Sequence, residues 1–167
     1  LANAIEKTLN IKTKLKWPND LTLDNKKVAG IIIDASIEST KIESIVIGIG
    51  INFQVNIKQI ETKIKKNDNF YGVNTLLKKE KIKPAELVKE FLAELESILE
   101  SLQANKTQQI TEQWVKNSST IGQTITVTDV GSKISGKAVG LDKDGSLIVK
   151  QGSKIIRVTS GDITYRK

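Results

Sequence analysis

Three short segments near the start of the chain carry residue types that could bind an anionic ligand. In residues 16–21, Pro18 fixes its own backbone, so the lysine, tryptophan, asparagine and aspartate around it are held on a stiff turn. Lys27 opens the second segment. Gly48 and Gly50 end a β-branched run, where the missing side chains allow a ligand to lie directly against the backbone. Together these features indicate a site for a molecule that is anionic and flat.

The composition excludes several kinds of chemistry. The 167 residues include no cysteine and no histidine, which excludes disulfides, thiolate catalysis, histidine general bases and zinc bound by either residue. Any reaction must use lysines, carboxylates, amides and backbone groups. The net charge of +7 is compatible with nucleic acid, a phosphate-bearing ligand or an acidic protein partner. Because the lysines are scattered along the chain, the charge favours ordinary solvation and steering of partners.

Hydrophobic residues make up 38% of the chain, which suits one domain or two small ones with a real core. No apolar stretch approaches the roughly 20 residues needed to cross a bilayer, and no signal-like start is present. We therefore expect a cytoplasmic protein. The sequence contains no methionine and opens with Leu1 inside an amphipathic helical pattern, so we expect it to be a fragment of a longer chain.

The hydrophobic pattern predicts the elements that position these segments. Helices are predicted at residues 1–9, 84–105 and 107–116, and strands at 14–17, 21–23, 28–37 and 42–51. The continuous isoleucine run at residues 31–33 is typical of a strand buried on both faces. The apolar repeat that follows Pro84 indicates a helix with one buried face.

The pattern changes after residue 119. Alternating stretches at residues 124–128, 133–141, 146–150 and 154–159 are separated by turn residues about every eight to twelve positions, which predicts a small all-β barrel. We place a domain boundary near residue 120, which divides the chain into residues 1–119 and 120–167. The predicted fold class is α+β, with a mixed sheet and packed helices followed by the small barrel.

Three motifs in this order resemble the central domain of biotin protein ligases: Lys-Trp-Pro-Asn-Asp-Leu at 16–21, Lys-Val-Ala-Gly-Ile-Ile at 27–32 and Gly-Ile-Gly-Ile-Asn at 48–52. Residues 136–145 and 160–166 are similar to the SH3-like C-terminal domain of the same enzymes, which activate biotin as an adenylate and pass it to a lysine of a carrier protein. The resemblance implies that residues 1–119 form the later part of a class II aminoacyl-tRNA-synthetase-like catalytic domain. Residues 120–167 would form the SH3-like domain.

The resemblance also implies a biotin site. Lys27 would be catalytic, contacting the biotin carboxylate and the forming acyl phosphate. Gly48 and Gly50 would let the bicyclic ring of biotin pack against a strand, with Ile32 as an apolar wall. Activation of a carboxylate by ATP requires positive charge near the carboxylate and the α-phosphate, because negative charge builds up there in the transition state. It requires little proton transfer, so a site without histidine can perform it with a positioned lysine.

An ATP or adenylate site is implied by the same resemblance. Its residues would be Lys16, Asn19, Asp20, Asn52, Asp162 and Arg166. Asn19 and Asp20 would orient the adenylate or its Mg²⁺, whereas Asp162 and Arg166 occupy positions linked in the family to nucleotide binding and coupling. The same residue types also occur in purely structural roles, namely turn capping, exposed lysines, a glycine-bearing strand in a tightly packed sheet, and a surface ion pair near the end of the chain. Trp17 is expected in the core.

The implied activity is that of a biotin–[acetyl-CoA-carboxylase] ligase with biotin and ATP as substrates and Mg²⁺ accompanying ATP. The implied partner is the biotin carboxyl carrier protein, and some family members form homodimers. The family's Gly-Arg-Gly-Arg type loop does not occur in the sequence, so we expect an incomplete and poorly active ligase.

The alternative is a basic SH3-like module that binds nucleic acid or protein without catalysis. Aromatic residues are only 4% of the chain, and we expect neither tryptophan to lie near the strands of the predicted barrel. Because readers of nucleic acid usually present aromatic stacking platforms, we expect no nucleic-acid partner.

Overall fold

The computed structural model describes residues 1–39, 41–63, 71–78, 82–129 and 132–165. Its helices in these ranges are α1 (Ala2–Leu9), α2 (Ile57–Lys63), α3 (Pro84–Gln103) and α4 (Thr107–Asn117). Its strands are β1 (Lys14–Lys16), β2 (Asp20–Leu23), β3 (Lys26–Glu38), β4 (Lys41–Ile51), β5 (Thr124–Asp129), β6 (Ser132–Leu141), β7 (Leu147–Gln151), β8 (Lys154–Val158) and β9 (Asp162–Tyr165). The predicted α+β class is confirmed. No helix in the described ranges combines the length and apolar character that crossing a membrane requires.

The first sheet is an antiparallel meander in the order β1-β2-β3-β4. The turn between β2 and β3 has an aspartate and an asparagine at positive φ, the backbone region that these two residues tolerate best after glycine. β3 and β4 then pair in a register that sets Gly30 opposite Gly50 and Ile32 opposite Gly48. The sheet surface at this point therefore has few side chains.

The first hydrophobic core lies between α1, α3, the start of β3 and the segment around residue 76. Its buried members are Ala4, Ile5, Leu21, Val28, Ala29, Leu76, Leu77 and Leu87. The prediction of one continuously buried face on α3 is wrong, because only Leu87 is buried on this helix. Leu92 and Leu99, further along the same stripe, remain 56% and 49% exposed. The helix packs against α1 over its first half and contacts α4 as well, but these contacts leave much of the apolar stripe exposed.

The prediction of a strand buried on both faces at residues 31–33 is also wrong. Ile32 and Ile33 are 63% and 62% exposed. β2 pairs with β3 only as far as Gly30, so beyond that residue β3 is held by β4 alone. The two strands continue as a ribbon with no described element packed against its apolar side chains.

The second sheet has the order β8-β7-β6-β5-β9 and is antiparallel throughout. Four of its strands lie where the alternating pattern predicts them, whereas β9 was not predicted as a strand. The all-β, SH3-like character is confirmed. The sheet is not closed, because β8 and β9 form its two edges and do not pair with each other in the described strands.

Trp17 joins the two halves of the structure. It is 3% exposed and packs in the second hydrophobic core with the buried side chains of Ile125, Val127, Ala138, Leu147, Val149, Val158 and Ile163. Its backbone N–H donates to Thr120 Oγ1 at 3.1 Å, and its indole Nε1–H donates to the carbonyl oxygen of Gly145 at 3.1 Å. The expected core position is confirmed. The expectation that neither tryptophan lies near the second set of strands is wrong. Leu15 of β1 forms a parallel bridge with Ser118, and Trp17, two residues further on, lies in that core.

Gly136 on β6 is a position where any side chain would collide with the backbone. A Cβ atom there would lie 2.5 Å from the carbonyl oxygen of Lys150 and 2.8 Å from Val149 Cγ1. Gly136→Ala is therefore expected to lower the free energy of unfolding by about 1–3 kcal/mol, the usual cost of overpacking. Gly140→Ala on the same strand is the matched control, because a Cβ there would meet nothing within 4 Å. Urea denaturation of both variants measures the difference, and equal stability would contradict the close packing described here.

Candidate active site

A cavity of about 840 Å³ lies between the glycine-bearing part of the first sheet, α2, the segment at residues 71–73, and β9. Its lining residues are Lys16, Asp20, Lys27, Ala29, Gly30, Ile32, Gly48, Gly50, Ile51, Asn52, Ile60, Tyr71, Gly72, Val73, Asp162 and Ile163. Of the candidate residues chosen from the sequence, all except Asn19 and Arg166 are among them. The polar groups lie together near β1, β2 and β9, and the glycines of β3 and β4 form an open shelf.

Lys27 and Asp20 form an ion pair at the centre of this cavity. Lys27 Nζ lies 2.5 Å from Asp20 Oδ1, and the two side chains are 42% and 13% exposed. Apart from this ammonium, no donor in the described residues approaches the buried Oδ1 atom. Gly30 leaves room for this ion pair, because a Cβ atom there would lie 3.0 Å from Lys27 Nζ and 3.1 Å from Asp20 Oδ1 and would press the ammonium slightly aside. The ammonium is thus held against the sheet surface with part of its surface still open to the cavity.

Tyr71 holds the other oxygen of the same carboxylate. Its hydroxyl group donates a hydrogen bond to Asp20 Oδ2 at 2.6 Å. Burial, and after it this hydrogen bond, raise the pKa of the Tyr71 phenol far above its ordinary range. The phenol therefore keeps its proton and acts as a donor, so Asp20 is fixed from two sides.

Lys16 lies next to Tyr71 in the same cluster, and only 5% of its surface is exposed. Its Nζ atom is 4.1 Å from the centroid of the Tyr71 ring and 5.8 Å from that of the Tyr165 ring, both within the range of cation–π attraction. Burial lowers the pKa of the Lys16 ammonium, Asp20 and Asp162 act to raise it, and Lys27 lowers it further. The chain therefore places a second cation in the same cluster, more deeply buried than Lys27.

Asn52 anchors the backbone that carries Lys27. Its side-chain amide nitrogen donates to the carbonyl oxygens of Asn74 at 3.0 Å and of Lys27 at 3.3 Å. Its backbone N–H donates to the carbonyl of Val28 at 2.7 Å. Asn52 also lines the cavity, so its position fits both a support for Lys27 and a contact with a ligand.

Asn19 and Arg166 are the two candidates outside this lining. The Asn19 side-chain amide nitrogen donates to the carbonyl oxygen of Ile31 at 2.9 Å, and the backbone carbonyl oxygen of Asn19 accepts from the Ile31 N–H. These bonds tie the turn to β3, which matches the structural role of turn capping. Arg166 lies outside the described residues.

The acidic side chains of the described residues do not form a metal site of their own. No group of three or more aspartate or glutamate residues that could hold a metal ion occurs in the described ranges. Asp20 already contacts an ammonium through one oxygen and a phenol through the other, so only part of its capacity to accept contacts is left for a cation. A metal ion at Asp20 would therefore need most of its ligands from another molecule, such as the ligand that it accompanies.

Two family models match the chain in sequence order. The model of the biotin/lipoate A/B protein ligase family matches residues 1–52, and the model of the biotin protein ligase C-terminal domain matches residues 120–166. The first match contains the Lys27 motif and both shelf glycines, and the second contains β5 to β9. The chain belongs to the biotin protein ligase family.

Similar proteins of known name support the same family. The chain is 27% identical over 170 residues to the bifunctional ligase/repressor BirA of Bacillus subtilis, covering 98% of this chain and 49% of that protein. Identity to BirA of Escherichia coli is also 27%, over 99% of this chain and 50% of that protein. The chain therefore spans about half the length of the curated relatives it matches.

Solved biotin protein ligases share the fold. A structure from Aquifex aeolicus in complex with biotin and ATP superposes with a TM-score of 0.77 at 24% identity, covering 99% of this chain and 67% of that one. The biotin acetyl coenzyme A carboxylase synthetase of Helicobacter pylori, with a TM-score of 0.51 at 22% identity, covers 99% and 61%. At these identities the likeness establishes the fold alone.

Tyr71 and Gly30 are the two residues in contact range of the Lys27–Asp20 pair that sequence reasoning missed as site residues. Gly30 stands inside the Lys-Val-Ala-Gly motif, and its strand register with Gly50 was the signal that could have identified it. Tyr71 follows a polar connection without a regular pattern, so nothing in its sequence neighbourhood indicated that it would contact Asp20.

Gly30→Ala tests whether the space above this glycine matters for the Lys27 ammonium. The added methyl group would have to displace the flexible end of Lys27 by a few tenths of an ångström, so we expect the free energy of unfolding to change by less than about 1 kcal/mol. The affinity for biotin, the ligand expected for this family, should fall about three- to tenfold because the ammonium moves. Isothermal titration calorimetry with Gly140→Ala as the control measures this effect. Unchanged affinity in both variants would show that the ammonium position is unimportant.

Proposed function

We propose that the chain provides the lysine-bearing part of the active site of a biotin–[acetyl-CoA-carboxylase] ligase. The full reaction would join the carboxylate of biotin to the α-phosphate of ATP, with release of pyrophosphate, and then transfer the biotinyl group to a lysine of the biotin carboxyl carrier protein with release of AMP. The observation that carries the proposal is the cavity in which the Lys27 ammonium lies beside the Gly48–Gly50 shelf.

The charges of the cavity suit the first of these steps. When the biotin carboxylate approaches the α-phosphate, two anionic groups come together, and negative charge increases on the phosphate oxygens. A fixed ammonium at this point offsets that charge without transferring a proton, which fits a cavity that contains no histidine. Lys27 is held in place by Asp20 but keeps part of its surface open, so it could contact a ligand without first breaking the ion pair.

The shelf suits the uncharged part of biotin. At Gly50 a Cβ atom would meet nothing within 4 Å, and at Gly48 the nearest atom would be the carbonyl oxygen of Ile32 at 3.7 Å. The space is therefore left open by the absence of side chains. A flat bicyclic ring could lie against this backbone, and the exposed side chain of Ile32 could form an apolar wall.

Several finer points belong to the same proposal. Asp162 and Asn52 line the cavity on the side where the adenylate would extend, and Arg166 would join them from the chain end. Mg²⁺ would enter with the phosphates of ATP, which supply most of its ligands, and Asp20 is the nearest carboxylate to hold it. A cytoplasmic location and a homodimer, as found in some family members, remain predictions.

Calorimetric titration of the chain with biotin, and then with a hydrolysis-resistant biotinyl-adenylate analogue, tests the proposal. We expect both ligands to bind, the analogue more tightly because it also contacts the adenylate side of the cavity. Absence of binding by both ligands would contradict the proposal. A parallel titration with duplex DNA at two salt concentrations tests the alternative of a basic binding module, for which affinity must fall steeply as salt increases.

A further inference from the structure

The second lysine of the cluster, Lys16, has surroundings unlike those of a ligand-binding cation. It is 5% exposed, whereas the Lys27 side chain is 42% exposed. Its ammonium lies over the face of the Tyr71 ring at 4.1 Å and within 5.8 Å of the Tyr165 ring. A cation held against two aromatic faces is already stabilised by them, so it has little surface left for an incoming ligand.

The charges that line the cavity balance only when Lys16 is included. In the described lining, the charged side chains are two lysines, Lys16 and Lys27, and two carboxylates, Asp20 and Asp162. Without Lys16 this set would carry a net negative charge. An anionic ligand approaching Lys27 would then meet an excess of like charge, because the Asp20 carboxylate lies only 2.5 Å from that ammonium.

Lys16 and Asp20 are also connected through Tyr71. The same tyrosine whose ring supports the Lys16 ammonium donates its hydroxyl group to Asp20 Oδ2 at 2.6 Å. On the other side, the Tyr165 hydroxyl lies 3.5 Å from Thr120 Oγ1, which accepts the N–H of Trp17 next to Lys16 in the chain. Lys16 of the first sheet is therefore in contact range of Tyr165 in the second sheet, and the Tyr71 ring connects its ammonium to Asp20.

We propose that Lys16 is a positioning residue, which acts through Tyr71 and Asp20 to keep the charge around Lys27 balanced so that an anionic ligand can bind there. This inference rests on the proposed function, since it assumes that Lys27 receives the biotin carboxylate. It assigns Lys16 a role different from direct contact with the adenylate. Lys16 contributes through its charge and its fixed position.

Lys16 could act by balancing charge or only by supporting the shape of the cavity. These two roles can be separated by comparing the binding of an anionic ligand with that of its neutral counterpart. Loss of charge balance weakens binding of biotin, which carries a carboxylate, but leaves binding of biotin methyl ester almost unchanged. A merely structural role would weaken both ligands equally, because the cavity as a whole would be deformed. Lys16→Met removes the charge and keeps an apolar side chain of similar length, and Lys14→Met removes a charge from an exposed lysine on the same strand as a matched control.

Isothermal titration calorimetry on the whole chain gives the dissociation constant Kd of each ligand, with circular dichroism to verify folding. In Lys16→Met we expect the Kd of biotin to rise about tenfold and that of the methyl ester to change less than about twofold. Lys14→Met should leave both values near those of the unsubstituted chain. Lys16→Gln, neutral and polar, is measured in parallel, so that unfolding of the Met variant would not prevent the comparison.

The other outcomes would overturn either this inference alone or the proposed function as well. Equal weakening of both ligands, or a rise in the biotin Kd no larger than in Lys14→Met, would overturn the inference and leave the proposed function standing. Failure of the unsubstituted chain to bind either ligand would overturn the proposed function, and with it the inference.

Discussion

Trp17→Ala is expected to lower the free energy of unfolding by about 3–5 kcal/mol, the usual cost of truncating a large buried aromatic residue. The indole is 3% exposed and packs in the core of the second sheet, although Trp17 itself lies in the turn between β1 and β2 of the first sheet. Truncation would leave a cavity in that core, and it would remove the hydrogen bond from Nε1 to the carbonyl oxygen of Gly145. Domains of this size have total stabilities of about 5–15 kcal/mol, so the variant should be close to unfolding.

Two variants separate the contributions of Trp17. Trp17→Phe keeps an aromatic ring and loses the hydrogen bond, so its loss of stability should be clearly smaller than that of Trp17→Ala. Trp114→Ala is the control for the loss of any tryptophan, because Trp114 packs against the same core but is only partly buried. Urea denaturation followed by circular dichroism measures all three. If Trp17→Ala were no less stable than Trp114→Ala, the two halves would not depend on the indole as the structure indicates.

Most helices and strands could be predicted because they depend on local patterns, whereas α2 (Ile57–Lys63) lies where no element was predicted. The helix that begins at Pro84 and the strands β5 to β8 lie within a few residues of the sequence-based ranges, since apolar periodicity and turn residues act over short distances. β9 (Asp162–Tyr165) was not predicted, because it is a strand through its pairing with β5, which lies far away in the sequence.

Burial could not be predicted from the same patterns, because it depends on what packs against an element. The isoleucine run in β3 has the composition of a buried strand, yet Ile32 and Ile33 lie beyond the point where β2 stops pairing. The apolar stripe of α3 likewise extends past the part of the helix that contacts α1. In both places the sequence indicates a surface able to be buried, and the described chain leaves it exposed.

The candidate site was predictable where the motif fixes the backbone and less so where side chains meet across the fold. Lys27, Gly48 and Gly50 come together because the β3–β4 register follows directly from the hairpin. Asn19 and Asp20 are neighbours in one turn, yet only Asp20 enters the cavity, since Asn19 is held by Ile31. Which neighbour points into the site depends on where β2 begins, and the motif alone does not determine that.

Lys27→Met is expected to raise the Kd of the biotinyl-adenylate analogue about 10- to 100-fold, the range expected for loss of a hydrogen bond to a charged group. The rate of pyrophosphate release from ATP and biotin, where it can be measured, should fall about 10²- to 10³-fold, because the lost ammonium would stabilise charge that develops in the transition state. Lys26→Met is the matched control, since Lys26 is the adjacent lysine and does not line the cavity. It should bind the analogue as the unsubstituted chain does.

Loss of Lys27 also leaves Asp20 without its ion-pair partner, so a weaker affinity could arise from a disturbed site as well as from a missing contact. The double variant Lys27→Met/Asp20→Asn separates these causes, because it removes both charges of the pair and no unpaired carboxylate remains. We expect it to recover most of the stability lost in Lys27→Met, as measured by thermal denaturation, without recovering affinity for the analogue. Recovery of affinity together with stability would mean that Lys27 serves only to neutralise Asp20, and that another cation of the cavity receives the ligand.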